Sequence, residues 1–126
     1  MTKQNRKEYT EWLTSLWNKY KDTLGLGLFL FELHEIKETL SSPLMECKVR
    51  YPYLEAHIGY SESSFKMWQD DKQKAQHVFI HEMCHVVTDP FYVKAVARYL
   101  SEDCLEAERE RLTDLIAVLV CRISNK

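Results

Sequence analysis

Residues 78–90 read Val78-Phe79-Ile80-His81-Glu82-Met83-Cys84-His85-Val86-Val87-Thr88-Asp89-Pro90. Taken with Ala75 upstream, the apolar residues of this stretch recur at the spacing of a helix buried over most of its surface. The helix is expected to start near Asp71. It is expected to end at Asp89, because Pro90 has no N–H with which to continue the hydrogen-bond ladder. Asp89-Pro90 then has the form of an N-cap followed by the first helical position, which predicts a separate short helix carrying Phe91, Val93, Val96, Ala97 and Leu100.

Outward toward the N-terminus the period changes. Tyr9, Trp12, Leu13, Leu16, Trp17 and Tyr20 mark one apolar helical stripe and predict a helix over about residues 7–21. After Gly25 and Gly27 the period falls to two, with Phe29, Phe31 and Leu33 on one face of a strand and Leu28, Leu30, Glu32 and His34 on the other, so this strand is expected to be covered on both sides for part of its length. A second alternation sets Met45, Cys47, Val49 and Tyr51 against Glu46, Lys48 and Arg50. A third sets Leu54, Ala56, Ile58 and Tyr60 against Glu55, His57 and Gly59. Ser41-Ser42-Pro43 and Pro52 separate these segments, and a three-stranded, mostly antiparallel meander is the expectation. Toward the C-terminus, Leu105, Leu112, Leu115, Ile116, Leu119 and Ile123 predict a last helix. The fold class that follows is α+β: an N-terminal helix, a small sheet, then the buried helix and a C-terminal helix closing one core.

The chain has 126 residues, and 45% of them are hydrophobic, which suits a single domain over 1–126. Seventeen basic against nineteen acidic side chains leave a net charge of −2, so there is no general field to gather nucleic acid or anionic lipid, and neither is expected as a partner. No apolar run approaches the ~18 residues that a bilayer span requires. The four cysteines at 47, 84, 104 and 121 form no C-x-x-C pair, which predicts reduced thiols and a cytoplasmic setting. Oligomeric state has no signature here.

The chemistry lies in His81-Glu82-Met83-Cys84-His85. Histidines four apart on a helix project from one face, so both rings can meet one metal ion, with Glu82 beside them as a general base. A shuffled chain of this composition would contain roughly 0.02 such motifs, and burying two histidines and a glutamate in so apolar a helix is costly without a purpose. A third ligand is expected from the last helix. Glu108 shares its angular position with Leu105, Leu112 and Leu119 and is expected to point at the core. Glu110 instead heads a stripe of small or polar residues, Thr113, Asp114, Ala117 and Cys121, and is the preferred ligand. Asp114 is then placed to accept the free ring N–H of His81 or His85. His77, four before His81, lies too far along the axis to share the same ion, and Cys84 is expected to pack as a small apolar residue. Tyr60, Tyr92 and Tyr99 are candidates to stabilise an oxyanion, although each also suits the core. The acidic residues between 102 and 110 are expected to be a solvated helix start.

The motif His81-Glu82-x-x-His85 followed by Glu110-x-x-x-Asp114 resembles that of thermolysin-like zinc metallopeptidases, the gluzincins. The small residues Thr113 and Ala117 also resemble the signature of small zincins of the ImmA/IrrE type and of minimal prophage-encoded relatives. The likeness spans about residues 53–121. It departs at Thr113 and Ile116, where Ala and Phe are usual, and in lacking a large second lobe. The resemblance implies a Zn2+ ion on His81, His85 and Glu110, with Glu82 as the base hydrolysing a bond in a peptide or protein. It also implies a strand lining the cleft, which here would be the third, presenting Glu55, His57 and Gly59 to substrate. The alternative is a zinc-stapled binding or regulatory module without catalysis, in which His57 is the candidate fourth ligand.

Overall fold

The computed structural model describes residues 2–50, 54–96 and 102–124. Helix α1 spans Lys3–Tyr20, and the Thr2 side chain caps it by accepting from the Asn5 amide at 3.1 Å. Tyr9, Leu13, Leu16, Trp17 and Tyr20 are its buried residues, as the stripe predicts. The Tyr9 hydroxyl donates to Ser64 Oγ at 2.9 Å, tying α1 to the segment after the sheet. Burial pushes the Tyr9 phenol up to about 12. The unfolded chain therefore ionises first, so stability is intact below pH 10 and falls as the pH rises from there toward 12. Tyr9→Phe removes both the hydrogen bond and this titration. In urea unfolding the variant is expected to be less stable than wild type by about 1 kcal/mol at pH 8, and the gap is expected to narrow at pH 11. A gap independent of pH would refute this account.

Strands β1 (Leu30–Glu35), β2 (Met45–Arg50) and β3 (Glu55–Tyr60) form one sheet in the order β1-β3-β2. The meander expectation is corrected on this point, because β3 lies in the middle, antiparallel to β2 and parallel to β1. Burial explains the order: Ala56 and Ile58 are fully buried and Tyr60 nearly so, whereas β1 alternates between exposed and half-buried. Gly59 also marks the central position. A Cβ there would sit 2.5 Å from Ile36 and 2.7 Å from the His34 ring, which reaches across to Glu46 at 3.6 Å. Leu28 and Leu30 are exposed, so the expected double cover of β1 is absent and only its Phe31 and Leu33 face packs on the core.

Ser61 ends β3 and begins α2 (Glu62–Asp70), an element absent from the sequence expectation, through a reciprocal cap in which Ser61 and Ser64 bond each other's backbone amides. Helix α3 then runs over Lys72–Val96, with Asp71 Oδ1 accepting from the Lys74 amide. The predicted break at Asp89 does not occur, and Pro90 lies inside the helix. Pro90 forfeits a single bond, the one to the Val86 carbonyl. Asp89 spends its carboxylate on His85 instead of on a new helix start. Of the expected short helix, residues 97–100 lie outside the described residues.

Helix α4 (Glu102–Ser124) packs on α3 through Thr113, Ala117 and Val120, with Thr113 and Thr88 hydroxyls 2.8 Å apart. Here the sequence expectation is reversed. Leu112, Leu115 and Leu119 are about half exposed and Ile123 more so, and Glu108 is exposed beside them. The small stripe goes inward because only small side chains let the two helix axes approach closely. Phe79, Ile80 and Met83 of α3 complete the core against Ala56 and Ile58 of β3 and the apolar face of α1. Cys47, Cys84 and Cys121 are free thiols. Among the described residues no helix is long and apolar enough to cross a membrane.

Candidate metal centre

His81 and His85 lie one turn apart on the face of α3 that meets α4, their rings edge to face with centroids 4.9 Å apart. Both Nε2 atoms point at one carboxylate. His81 Nε2 is 3.1 Å from one oxygen of Glu110, and His85 Nε2 is 3.3 Å from the other. One ligand atom from each residue lies within 4.8 Å of the other two, and no other such trio occurs among the described residues. The structure thus brings together the three residues singled out as ligands. Glu110 reaches both rings because Thr113 and Ala117, fully buried on the same helix, hold α4 close to α3.

The far sides of the rings are also held. The Asp89 carboxylate lies 2.9 Å from His85 Nδ1, an arrangement that in the neutral ring would keep the proton on Nδ1 and leave Nε2 free to ligate a cation between it and Glu110. Burial alone would lower the His85 pKa, but the Asp89 hydrogen bond and the charges of Asp89, Glu82 and Glu110 outweigh it, and the net shift is upward. Asp114 Oδ1 stands 3.5 Å from His81 Nδ1 and is nearer to His77 Nε2, at 3.2 Å. Asp114 is therefore shared between two histidines, and His77 is a partner of Asp114 rather than of Glu110.

Glu82 lines the same cleft, of about 390 Å³, with Met45 and Cys47 from β2, His85, Arg109 and Glu110. Its carboxyl is pushed up to about 7, chiefly by burial, with the Glu110 and Asp89 charges adding to the shift and His85 opposing it. Arg109 closes one end. Its guanidinium lies over the Tyr92 ring at 4.3 Å, within 3.4 Å of Glu110 and 3.9 Å of Asp89. Such a cation offsets the like charges that the carboxylates would otherwise accumulate.

His57 is not part of this centre. Its ring sits between Glu32 and Glu55, at 3.3 and 3.2 Å, on the sheet face opposite buried Ala56 and Ile58. The expectation that Glu55, His57 and Gly59 line a groove is corrected by topology: β3 is paired on both edges, and the strand bordering the cleft is β2. Tyr60 packs edge-on against Tyr9 in the aromatic core, and Tyr99 lies outside the described residues. Sequence reasoning misses Asp89 and Arg109. Asp89 has a signal, the four-residue step from His85 on one helix face, but Pro90 makes it read as a cap. Arg109 has none, since its role comes from the approach of α4 to α3.

Removing the Asp89 carboxylate frees the His85 ring to rotate and to change tautomer. In competition titrations with a chelating dye, Asp89→Ala is expected to lower zinc affinity by roughly 10- to 100-fold, and by more than Asp114→Ala, whose carboxylate is shared and more distant. Unchanged affinity in Asp89→Ala would remove its assigned role.

No family model, curated protein or solved structure is detectably similar to this chain.

Proposed function

We propose that the protein is a zinc-dependent hydrolase of peptide bonds, with His81, His85 and Glu110 as ligands and Glu82 as general base. The observation that carries this reading is the convergence of two imidazole nitrogens on the Glu110 carboxylate, with half-buried Glu82 lining an open cleft alongside His85 and Glu110. The donor set fits the ion. One ligand atom from each of the three residues lies within 4.8 Å of the other two, and small side-chain rotations would draw them to the roughly 3.3 Å spacing of ligands held 2.0–2.1 Å from a tetrahedral zinc. A nitrogen, nitrogen, carboxylate set with a carboxylate behind the rings also matches zinc preferences.

When bound, zinc supplies Lewis-acid polarisation of a carbonyl and makes water acidic near neutrality. This chain's own residues do the rest. Glu82, next to the two histidines and lining the cleft, would take the proton of the attacking water and deliver it to the leaving amine. Asp89 keeps His85 in one tautomer. Arg109 balances Glu110 and Asp89. Strand β2, which lines the cleft through Met45 and Cys47 and is paired on one edge only among the described residues, offers main-chain groups with which an extended peptide can pair. Three donors rather than four among the described residues, with His57 turned away, support hydrolysis over a closed zinc staple.

The test is incubation of the zinc-loaded protein with a complex peptide mixture, read by mass spectrometry for new termini. Cleavage that is lost on chelation and restored by zinc is the expected outcome. A tightly held zinc with no cleavage of any peptide would overturn the hydrolase reading.

A further inference from the structure

We infer that the outer face of α4 is a two-fold interface with a second copy of this chain, the two helices packing antiparallel about Leu115. The face consists of Glu108, Leu112, Leu115, Leu119, Arg122 and Ile123. Leu112, Leu115 and Leu119 are 47%, 53% and 50% exposed and Ile123 70%. Together they present on the order of 400 Å² of side chain in one stripe, within the range of the largest apolar patch on a typical monomer, which is often a functional surface. The spacing of three and four residues along it is the seam of a helix pair.

The charges select the occupant and its direction. Glu108 and Arg122 each lie seven residues from Leu115 on the same face, on opposite sides of it. In an antiparallel pair centred on Leu115, Glu108 of each copy meets Arg122 of the other, giving two equivalent ion pairs about the two-fold axis. A parallel pair would instead set Glu108 against Glu108 and Arg122 against Arg122. The present partner of Glu108 is Arg111 at 3.0 Å, with both side chains 66% exposed. So exposed a pair is weak and does not hold Glu108 back. The stripe also lies opposite the buried Thr113, Ala117 and Val120, and Glu110 projects about 140° away around the helix from Leu115. A dimer so formed leaves the cleft open and uses none of its residues.

Sedimentation velocity of the zinc-loaded chain of 126 residues tests this. The expected result is a concentration-dependent dimer. Leu115→Glu, a change at a half-exposed position, is expected to weaken dimerisation by roughly a hundredfold or more, with zinc content and helical circular dichroism unchanged. Glu108→Arg is expected to weaken it through repulsion from Arg122, and Glu108→Arg with Arg122→Glu to restore it. A wild-type chain that stays monomeric at high micromolar concentration would overturn the proposal and leave the stripe to a different partner. So would a dimer indifferent to Leu115→Glu. Failure of the double exchange to restore what Glu108→Arg loses would overturn the antiparallel register.

Discussion

Zinc at about one ion per chain in the wild-type protein, and none retained after dialysis in His85→Ala or His81→Ala, is the expected result of metal analysis. Each substitution removes one of two nitrogens that converge on the same carboxylate, and the remaining pair of donors cannot hold the ion against a chelator. Glu110→Ala is expected to behave similarly. Glu108→Ala, two positions away on the same helix but exposed on its outer face, is expected to retain zinc. The loss carries over to stability, since an ion that binds only the folded chain stabilises it by about 4 kcal/mol when present at a thousandfold over its Kd. Chelation should therefore lower the melting temperature of the wild type and leave His85→Ala unmoved. Full zinc occupancy in either histidine variant would sink the site.

Glu82→Gln should abolish hydrolysis while sparing zinc and fold. Loss of a positioned general base costs roughly 100- to 10,000-fold, and the amide has nearly the shape of the carboxylate without its basicity. Glu82 is not one of the three converging donors, so zinc stoichiometry should be unchanged. Burial already penalises its charged form, so the neutral amide should not lower the melting temperature. The readout is the rate at which new termini appear in the peptide mixture, measured beside zinc content for the same preparation. Wild-type rates in Glu82→Gln would remove the mechanism even if zinc is bound.

Much of the centre is legible in the order of the residues alone. The four-residue step from His81 to His85 is a local fact, because helix geometry places both rings on one face. Glu110 stands out because small residues follow it, and Thr113 and Ala117 are indeed buried against α3. Glu108 lies outside the converging trio, but for a reason other than the one its leucine neighbours suggest. Their hydrophobicity points to the core, yet they face outward and Glu108 faces outward with them, whereas Glu110, also exposed, is turned toward the two histidines. Helix α4 carries two stripes half a turn apart, one leucine-rich and one small. Hydrophobicity favours burying the first, while the closeness that Glu110 needs to reach two histidines favours the second.

The elements with a local signal follow from the residue order: the stripe of α1, the alternation of β2 and β3, and the paired histidines of α3. Periodicity and staggered geometry act over a few residues, so these need no partner to be recognised. Features that depend on which element lies beside which emerge only when the chain is packed. The sheet order places β3 centrally and gives the cleft to β2. Asp89 goes to His85 instead of capping a new helix, and α3 carries on through Pro90. His57 turns to Glu32 and Glu55 on the far face of the sheet. In each case the local preference is worth about a kcal/mol, the scale of a single cap or hydrogen bond, and the packing of whole elements against one another outweighs it.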